Sequence, residues 1–443
     1  MIKTAIKAIV PSPFLLMYHK LFAILANIIY RFPSRKMVII GITGTKGKSS
    51  TVIITTRILE EAGLKVGSMN TVFFKIGDKE WPNNTKQGMQ GRFKLQKMLR
   101  QMVKAGCTHA VIEVTSEGIL QHRQWGIAFD VAVFTNLGPE HIEVHGSYKN
   151  YRIAKESIFK NLNQAHRKKI NGKSIKKVIV VNKDDKEFEN FLRHKADEKW
   201  ITSSSCSKSL QLNNKEKVLC AKEIKLTSQG VAISIEDNYI HIPLHGLFMA
   251  QNAMLAIATA QSLGISLSTS EQALEKITTI PGRAEIIETD KGFKVMIDYA
   301  HEPKSFTAIF NTAKDMAGKG KIIALFGATG GGRDTAKRPE MGKIAAKNAD
   351  YIVLTNDDPY DSDQQGIIDD ISPGIESHGA RWEKDKNWFS IIDRKQAIQK
   401  ALSLAQSSDI ILLLGKGAEK VIVIGDKHFP WSDRAVAEEF LNQ

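Results

Sequence analysis

Residues 41–52 read GITGTKGKSSTV and follow the apolar run MVII. A buried strand that ends in glycine, lysine and hydroxyl residues and then enters a helix has few uses. Its backbone N–H groups and the helix N-terminus converge on an anion. Lys48 would reach the β- and γ-phosphates of a nucleotide, and the Ser49 hydroxyl would hold Mg²⁺. The strict GxxxxGK[ST] pattern is not met, because Ile42 stands where its first glycine belongs. The strand before the loop and the good helix after it therefore carry the expectation of ATP-type binding by Gly44, Thr45, Lys46, Gly47, Lys48, Ser49 and Ser50. A second glycine-rich turn, GATGGGR at 327–333, does not match GxGxxG, so a nicotinamide cofactor is not indicated.

Around this loop the pattern is α/β. MVIIGIT, HAVIEVT, VAVFTNL and KKVIVVN are continuous apolar runs separated by helical stretches, the signature of a parallel sheet covered on both faces. SSTVIITTRILEEAG stops at Gly63, as a helix C-terminus does. Residues 207–245 alternate with period two and predict antiparallel hairpins, after which FMAQNAMLAIATAQSLG returns to helix. From TTIPGRAE onward the α/β pattern restarts with FKVMIDYAH, KIIALFGATGGG, DYIVLTNDD and DIILLLGKG. Each of those strands ends in a polar or glycine-rich turn, and ligands of open α/β sheets bind at the carboxyl ends of strands. The expected divisions are an apolar helical segment at 1–36, a nucleotide-binding domain at 37–280 and a Rossmann-like domain at 281–443, hinged near Pro281-Gly282. No internal repeat or long low-complexity tract is evident.

The 443 residues carry 62 Lys and Arg against 47 Asp and Glu, a net charge of +15. That excess is either a solvated basic surface or an attraction for phosphates, nucleic acid or an anionic membrane face. The basic run at 166–177 reads as a surface loop. Aromatic-basic interleaving and a recognition helix are both absent from the sequence, which argues against a nucleic-acid partner. Cys107, Cys206 and Cys220 form no CxxC pair and predict reduced thiols in a cytoplasm, without zinc or disulfide. Residues 13–32 are apolar but interrupted by Tyr18, His19 and Lys20, so a spanning helix of about 20 apolar residues is not expected. An amphipathic helix packed on the body is expected, with an interfacial membrane helix as its alternative. A signal peptide is not indicated.

The ordered set GTKGKSS, EVTSEGILQHR, FTNLGPEHIEVHGSYKNYRIAKESIF, NKDD, QNAMLAIA, PGRAE, DYAHEP, GGGRDTAKRPEMG, NDDP and GKGAE resembles the Mur ligase family over residues 37–443. The nearest branch is the MurE-like tripeptide synthetases. The resemblance implies ATP-dependent amide-bond formation: a substrate carboxylate is phosphorylated by ATP, and an amino group then displaces phosphate. Positioning and charge neutralisation dominate such chemistry. The family pattern puts a P-loop ATPase-like central domain before a Rossmann-like C-terminal one. It implies two Mg²⁺ sites, with Ser49, Glu113, His141 and Lys155 as ligands. Lys48, Glu113, His141 and Lys155 would be catalytic, with Lys155 carbamylated by CO₂ so that a cation becomes a carboxylate-like ligand. It also implies nucleotide contacts from Asn252, Arg283, Asp298, Tyr299 and His301. Substrate contacts would come from Arg123, Arg333, Lys337, Arg338, Asp357, Asp358, Tyr360, Gly415 and Glu419.

Three departures bear on the substrates. Only 36 residues precede the first strand, too few for the family's uridine-nucleotide domain, so the acceptor expected is muropeptide-like and either UDP-linked, lipid-linked or other. Tyr360 stands where diaminopimelate-adding members carry arginine, which removes a bidentate carboxylate clamp; Asp357 or Asp358 would suit a cationic side chain such as lysine. Ala418 and Glu117 replace family histidines. Two rivals remain: a folylpolyglutamate-synthase-like ligase, and a basic nucleic-acid- or membrane-binding P-loop module. A nucleotide switch would not need Lys155.

Overall fold

The computed structural model describes residues 12–140, 142–206, 216–332 and 335–442. The chain divides into two units, one formed by residues 1–225, 232–242 and 249–277, the other by 226–231, 243–248 and 278–443.

In chain order the strands of the first unit are β1 (Val38–Thr43), β2 (Val66–Met69), β3 (Phe73–Ile76), β4 (Lys79–Pro82), β5 (His109–Glu113), β6 (Val131–Phe134), a short hairpin β7 (Lys169–Ile170) and β8 (Lys173–Ser174), β9 (Val178–Asn182), β10 (Glu198–Ser203) and β11 (Glu216–Cys220). Among the described residues one sheet runs β11-β10-β9-β6-β1-β5-β2-β3-β4. The pairs from β11 through β2 are parallel, and β3 and β4 close one edge antiparallel. Every residue of β1 is buried, which requires helices on both faces. Gly41 lets this strand pass under Phe129, whose ring would lie 2.6 Å from an added Cβ. The fully buried Asp130 carboxylate accepts from Ile39 N at 2.9 Å and from the ammonium groups of Lys168 and Lys177, fixing the root of β1. A carboxylate buried to that depth is tolerable only with such partners.

Helix α1 (Ser12–Ile29) lies against this unit, α2 (Lys48–Glu61) follows the loop after β1, and α3 (Arg92–Lys104) packs Leu95, Met98, Leu99 and Met102 into the core. Three readings of the sequence are corrected here. The basic run at 166–177 is not simply a surface loop, since Lys168 and Lys177 are buried on Asp130 and flank the β7-β8 hairpin. Residues 216–220 form no hairpin but extend the large sheet in parallel, while the following alternation builds a small sheet of β12 (Glu223–Thr227), β13 (Gly230–Ile235) and β14 (Asn238–Ile242). Cys206 and Cys220 are joined in a disulfide with Cα atoms 5.1 Å apart, leaving Cys107 as a buried thiol. Parallel pairing sets Ser203 opposite Cys220, so the chain leaving β10 passes the end of β11 and Cys206 N donates to Ala221 O. A 14-residue separation hides that neighbourhood from the sequence.

The second unit contains β15 (Glu285–Glu288), β16 (Lys294–Asp298), β17 (Ile322–Phe326), β18 (Tyr351–Leu354), β19 (Trp388–Ser390), β20 (Ile410–Leu414) and a hairpin of β21 (Val421–Ile424) and β22 (Lys427–Pro430). The sheet order is β15-β16-β20-β17-β18-β19, parallel except for β15. Period-two alternation sends Met296, Ala324, Phe326 and Leu412 into one core and Val295, Ile297, Leu325 and Leu413 into the other. Both faces are therefore dry, and the strand ends are where polar chemistry is left.

Candidate active site

In the first unit the loop after β1 is held from both sides. Gly44 (φ +152) and Gly47 (φ +81) take backbone shapes that other residues resist, and an added Cβ would fall 1.9 Å from Thr135 Oγ1 and 2.3 Å from Asn252 Oδ1 respectively. Thr45 N donates to Asn136 O at 2.8 Å, Lys46 N donates to Asn136 Oδ1 at 3.0 Å, and Thr135 Oγ1 donates to Lys46 O at 2.6 Å. The loop from β6 is thus a template for the glycine loop from β1, its parallel neighbour.

Ser49 Oγ donates to Glu113 Oε2 at 2.8 Å, and the same oxygen accepts from Thr71 N at 3.0 Å and Thr71 Oγ1 at 2.9 Å. Glu113 is buried at the end of β5, the other parallel neighbour of β1. A hydroxyl at the head of α2 beside a buried carboxylate is the oxygen donor set a hard cation takes, so these residues fit Mg²⁺. Ser50 is buried beneath the loop, Lys48 Nζ donates to Thr45 O at 2.8 Å, and Lys46 pairs with Glu140 at 3.0 Å. Asn252 touches the first turn of α2, where Thr51 Oγ1 donates to its Oδ1 at 3.3 Å.

Lys155 projects from the helix Tyr148–Leu162 with only 2% of its surface exposed, its Nζ donating to Gly44 O at 2.6 Å and lying 4.6 Å from the Tyr151 ring centre. Burial first, then repulsion from Lys48, holds this amine well below the ordinary lysine range, against the pull of Glu140 and Glu113. A neutral amine is the form that adds to CO₂. Arg123 donates to Met89 O, Gln87 Oε1 and Gln121 Oε1 in the same unit.

In the second unit the turns after β16, β18 and β20 converge. Asp298 accepts from Ala284 N and Ala300 N, both at 2.7 Å, and so shapes the turn that carries Tyr299 and His301. Arg283 stacks 4.8 Å over the Tyr299 ring, and His301 Nδ1 lies 2.7 Å from Tyr299 O. Burial, with Glu419 next in size, raises the Tyr299 phenol well above its usual range. Gly415 (φ +104) passes Asp357, whose Oδ2 would meet an added Cβ at 2.8 Å. Tyr360 (φ +50) donates its N–H to Val423 O.

Carboxylate oxygens of Asp357, Asp358 and Glu419 lie within 4.8 Å of one another. The buried Lys416 ammonium sits among them, 2.9 Å from Asp358, 2.6 Å from Glu419 and 3.7 Å from Asp357. That ammonium occupies the place a metal would need, so the cluster is an internal ion network with net negative charge. Burial raises Asp357 to about 6, opposed by Lys416 and aided by Asp358. Lys337 pairs with Glu302, and buried Arg338 spends its guanidinium on Asp370 and Thr329 O. Arg338 thereby shapes the loop after β17 rather than offering free charge.

His141 and Arg333 lie outside the described residues. Sequence reasoning missed Thr71, Asn136, Tyr151 and Lys416. Tyr151 sits one turn before Lys155, a spacing that could have been read; Thr71 and Asn136 reach the site only through strand pairing.

The family model described as Mur ligase middle domain matches residues 42–260, and the one described as Mur ligase, glutamate ligase domain matches residues 282–417. A UDP-N-acetylmuramyl-tripeptide synthetase of Roseiflexus sp. (strain RS-1) is 36% identical over 94% of this chain and 81% of its own length. A solved UDP-N-acetylmuramoyl-L-alanyl-D-glutamate--2,6-diaminopimelate ligase superposes with TM-score 0.60 at 26% identity, covering 92% of this chain and 78% of that one. Folylpolyglutamate synthase of Mycobacterium tuberculosis, complexed with ADP, gives TM-score 0.65 at 16% identity over 89% of this chain and 91% of that one, a likeness of fold alone.

Proposed function

The chain belongs to the Mur ligase family of ATP-dependent amide-forming ligases, and we propose from that premise that it adds an amino acid to a muropeptide-like acceptor in peptidoglycan precursor synthesis. The observation that carries this reading is the braced loop of the first unit, where Ser49 meets buried Glu113 and the amine of Lys155 meets Gly44 O.

The nucleotide phosphates would rest on the backbone of 44–49, with Lys48 turning from Thr45 O toward them. Ser49 and Glu113 would hold one Mg²⁺, with His141 and carbamylated Lys155 at a second. Bound metal would neutralise phosphate charge, easing attack by the acceptor carboxylate on the γ-phosphorus. The depressed amine of Lys155 supports carbamylation, since that reaction consumes a neutral amine and releases a proton. The incoming amino group then displaces phosphate from the acyl phosphate, restoring a neutral amide. Arg283, Asp298, Tyr299, His301 and Asn252 are proposed on the nucleotide. Arg123, Arg333, Lys337, Tyr360 and Gly415 are proposed on or beside the substrates, with Arg338 shaping the loop after β17.

The net negative network of Asp357, Asp358 and Glu419 around one lysine supports an incoming residue with a cationic side chain. A cytoplasmic location fits the substrates.

The test is phosphate release from ATP with Mg²⁺ and bicarbonate, across lysine, ornithine, diaminopimelate and glutamate, on UDP-linked and lipid-linked muropeptides and folate. Turnover that needs one amino acid and a muropeptide, and that Lys155→Ala reduces by roughly a thousandfold or more, is expected. Turnover with folate and glutamate would replace this reading with a folylpolyglutamate-type ligase.

A further inference from the structure

Helix α1 has a role that ligation does not absorb. Its inner face is fastened: Ala23, Ala26 and Asn27 are buried, and Asn27 Nδ2 donates to Ala23 O and Trp125 O, each at 2.9 Å. Gly126 makes room for that amide, which would lie 2.5 Å from an added Cβ. Phe22 meets Phe93 of α3 edge-on at 6.0 Å, and Ser34 Oγ, just beyond the helix, accepts from Ala128 N at 3.1 Å.

The outer face is apolar. Phe14, Met17, Tyr18, Leu21, Leu25, Ile28 and Ile29 are between 43% and 65% exposed. At 100° per residue their positions share an arc of about 120°. Single exposed apolar residues need no explanation, but a contiguous stripe of this size does.

The charge around the stripe bears on what would cover it. The first acidic residue of the chain is Glu60, and none occurs from 81 to 112, a stretch that includes α3. Lys20, Arg31, Arg35 and Lys36 are exposed on or just past α1, and Lys94, Lys97 and Lys104 are exposed on the adjoining α3. An apolar stripe among cations, on a helix that carries no acid and beside an α3 that carries none, matches a surface that offers hydrocarbon beneath anionic headgroups. Among the described residues no helix is long and apolar enough to cross a membrane.

We propose that α1 seats the enzyme on anionic lipid, its outer stripe embedded at the headgroup boundary and its flanking lysines and arginines on the phosphates. The helix lies in the plane of the interface while its inner face stays bound to the first unit.

The experiment is flotation of the full chain with phosphatidylcholine vesicles, with and without phosphatidylglycerol, at low and high salt. Expected is binding that requires phosphatidylglycerol and falls with salt. The double variant L21E/I28E should bind roughly a hundredfold more weakly, and R31Q/R35Q/K36Q should lose most of its dependence on phosphatidylglycerol. Both variants should keep the wild-type circular dichroism and amino-acid-dependent phosphate release in lipid-free buffer. No flotation of the wild type, or equal flotation of L21E/I28E, overturns the proposal. So does a dimer in sedimentation velocity that L21E/I28E dissociates in the absence of vesicle binding, which would make a second copy the occupant.

Discussion

Gly47 concentrates several demands on one residue. Its φ of +81 and the 2.3 Å approach of Asn252 Oδ1 both exclude a side chain. Gly47→Ala should leave the sheet intact, because the strain is confined to the loop, and should weaken nucleotide binding at least about tenfold by turning its N–H groups away. Calorimetric titration with an ATP analogue measures this; unchanged affinity would mean that the loop does not cradle phosphate. His109 makes the opposite kind of demand. It begins β5, and burial lowers its imidazole from 6.5 to about 4, outweighing Asp130. The unfolded chain then binds an extra proton between those values, so stability is full above pH 6.5 and is lost as pH falls toward 4. The loss is on the order of 2–3 kcal/mol. Urea midpoints at pH 7 and pH 4.5 should differ less in His109→Gln than in the wild type, and equal differences would remove His109 as the cause. Ser49 and Glu113 were legible because each sits in a motif at a strand end. Their partner Thr71 was not, since a pairing across 42 residues depends on which strands become neighbours.

At the level of elements, the continuous apolar runs translate directly into β1, β5, β6 and β9, because a strand buried on both faces has nothing else to be. The stretch 216–220 was misread as hairpin, because alternation says that a strand is half-covered but not which sheet takes it. Residues 216–220 found an open parallel edge beside β10. The fully buried pair of Arg394 with Asp433 was invisible for a similar reason, lying 39 residues apart on two helices. Its guanidinium also donates to Asn356 O and Leu414 O, so it ties those helices to the turns after β18 and β20. Removing one partner leaves a buried charge uncompensated, which costs about 3–5 kcal/mol. Asp433→Ala should therefore lower the melting temperature and also raise the KM for the amino acid, because Asp357 and Lys416 stand on the loosened turns. A stability loss with an unchanged KM would separate that network from the substrate.

Each unit has its own sheet and its own dry core, and each carries its own group of candidate residues. The P-loop, Glu113, Lys155 and Asn252 belong to the first unit, and the turns bearing Asp298, Asp357 and Lys416 belong to the second. A ligand that binds one folded unit stabilises it by RT ln(1 + [L]/Kd), about 2.7 kcal/mol at a hundredfold excess over Kd. Hydrogen exchange with saturating Mg-ATP should accordingly slow the amides of β1, β5, β6 and α2 by up to roughly a hundredfold. The end of β16, which bears Asp298, should respond in part to nucleotide, whereas the amides of β17, β18 and β20 should respond mainly once the amino acid and the acceptor are added. Equal protection of both units by nucleotide alone would show that ATP draws its affinity from the second unit as much as from the loop. The assignments of Arg283, Tyr299 and His301 would then gain weight over those of Lys48 and Ser49.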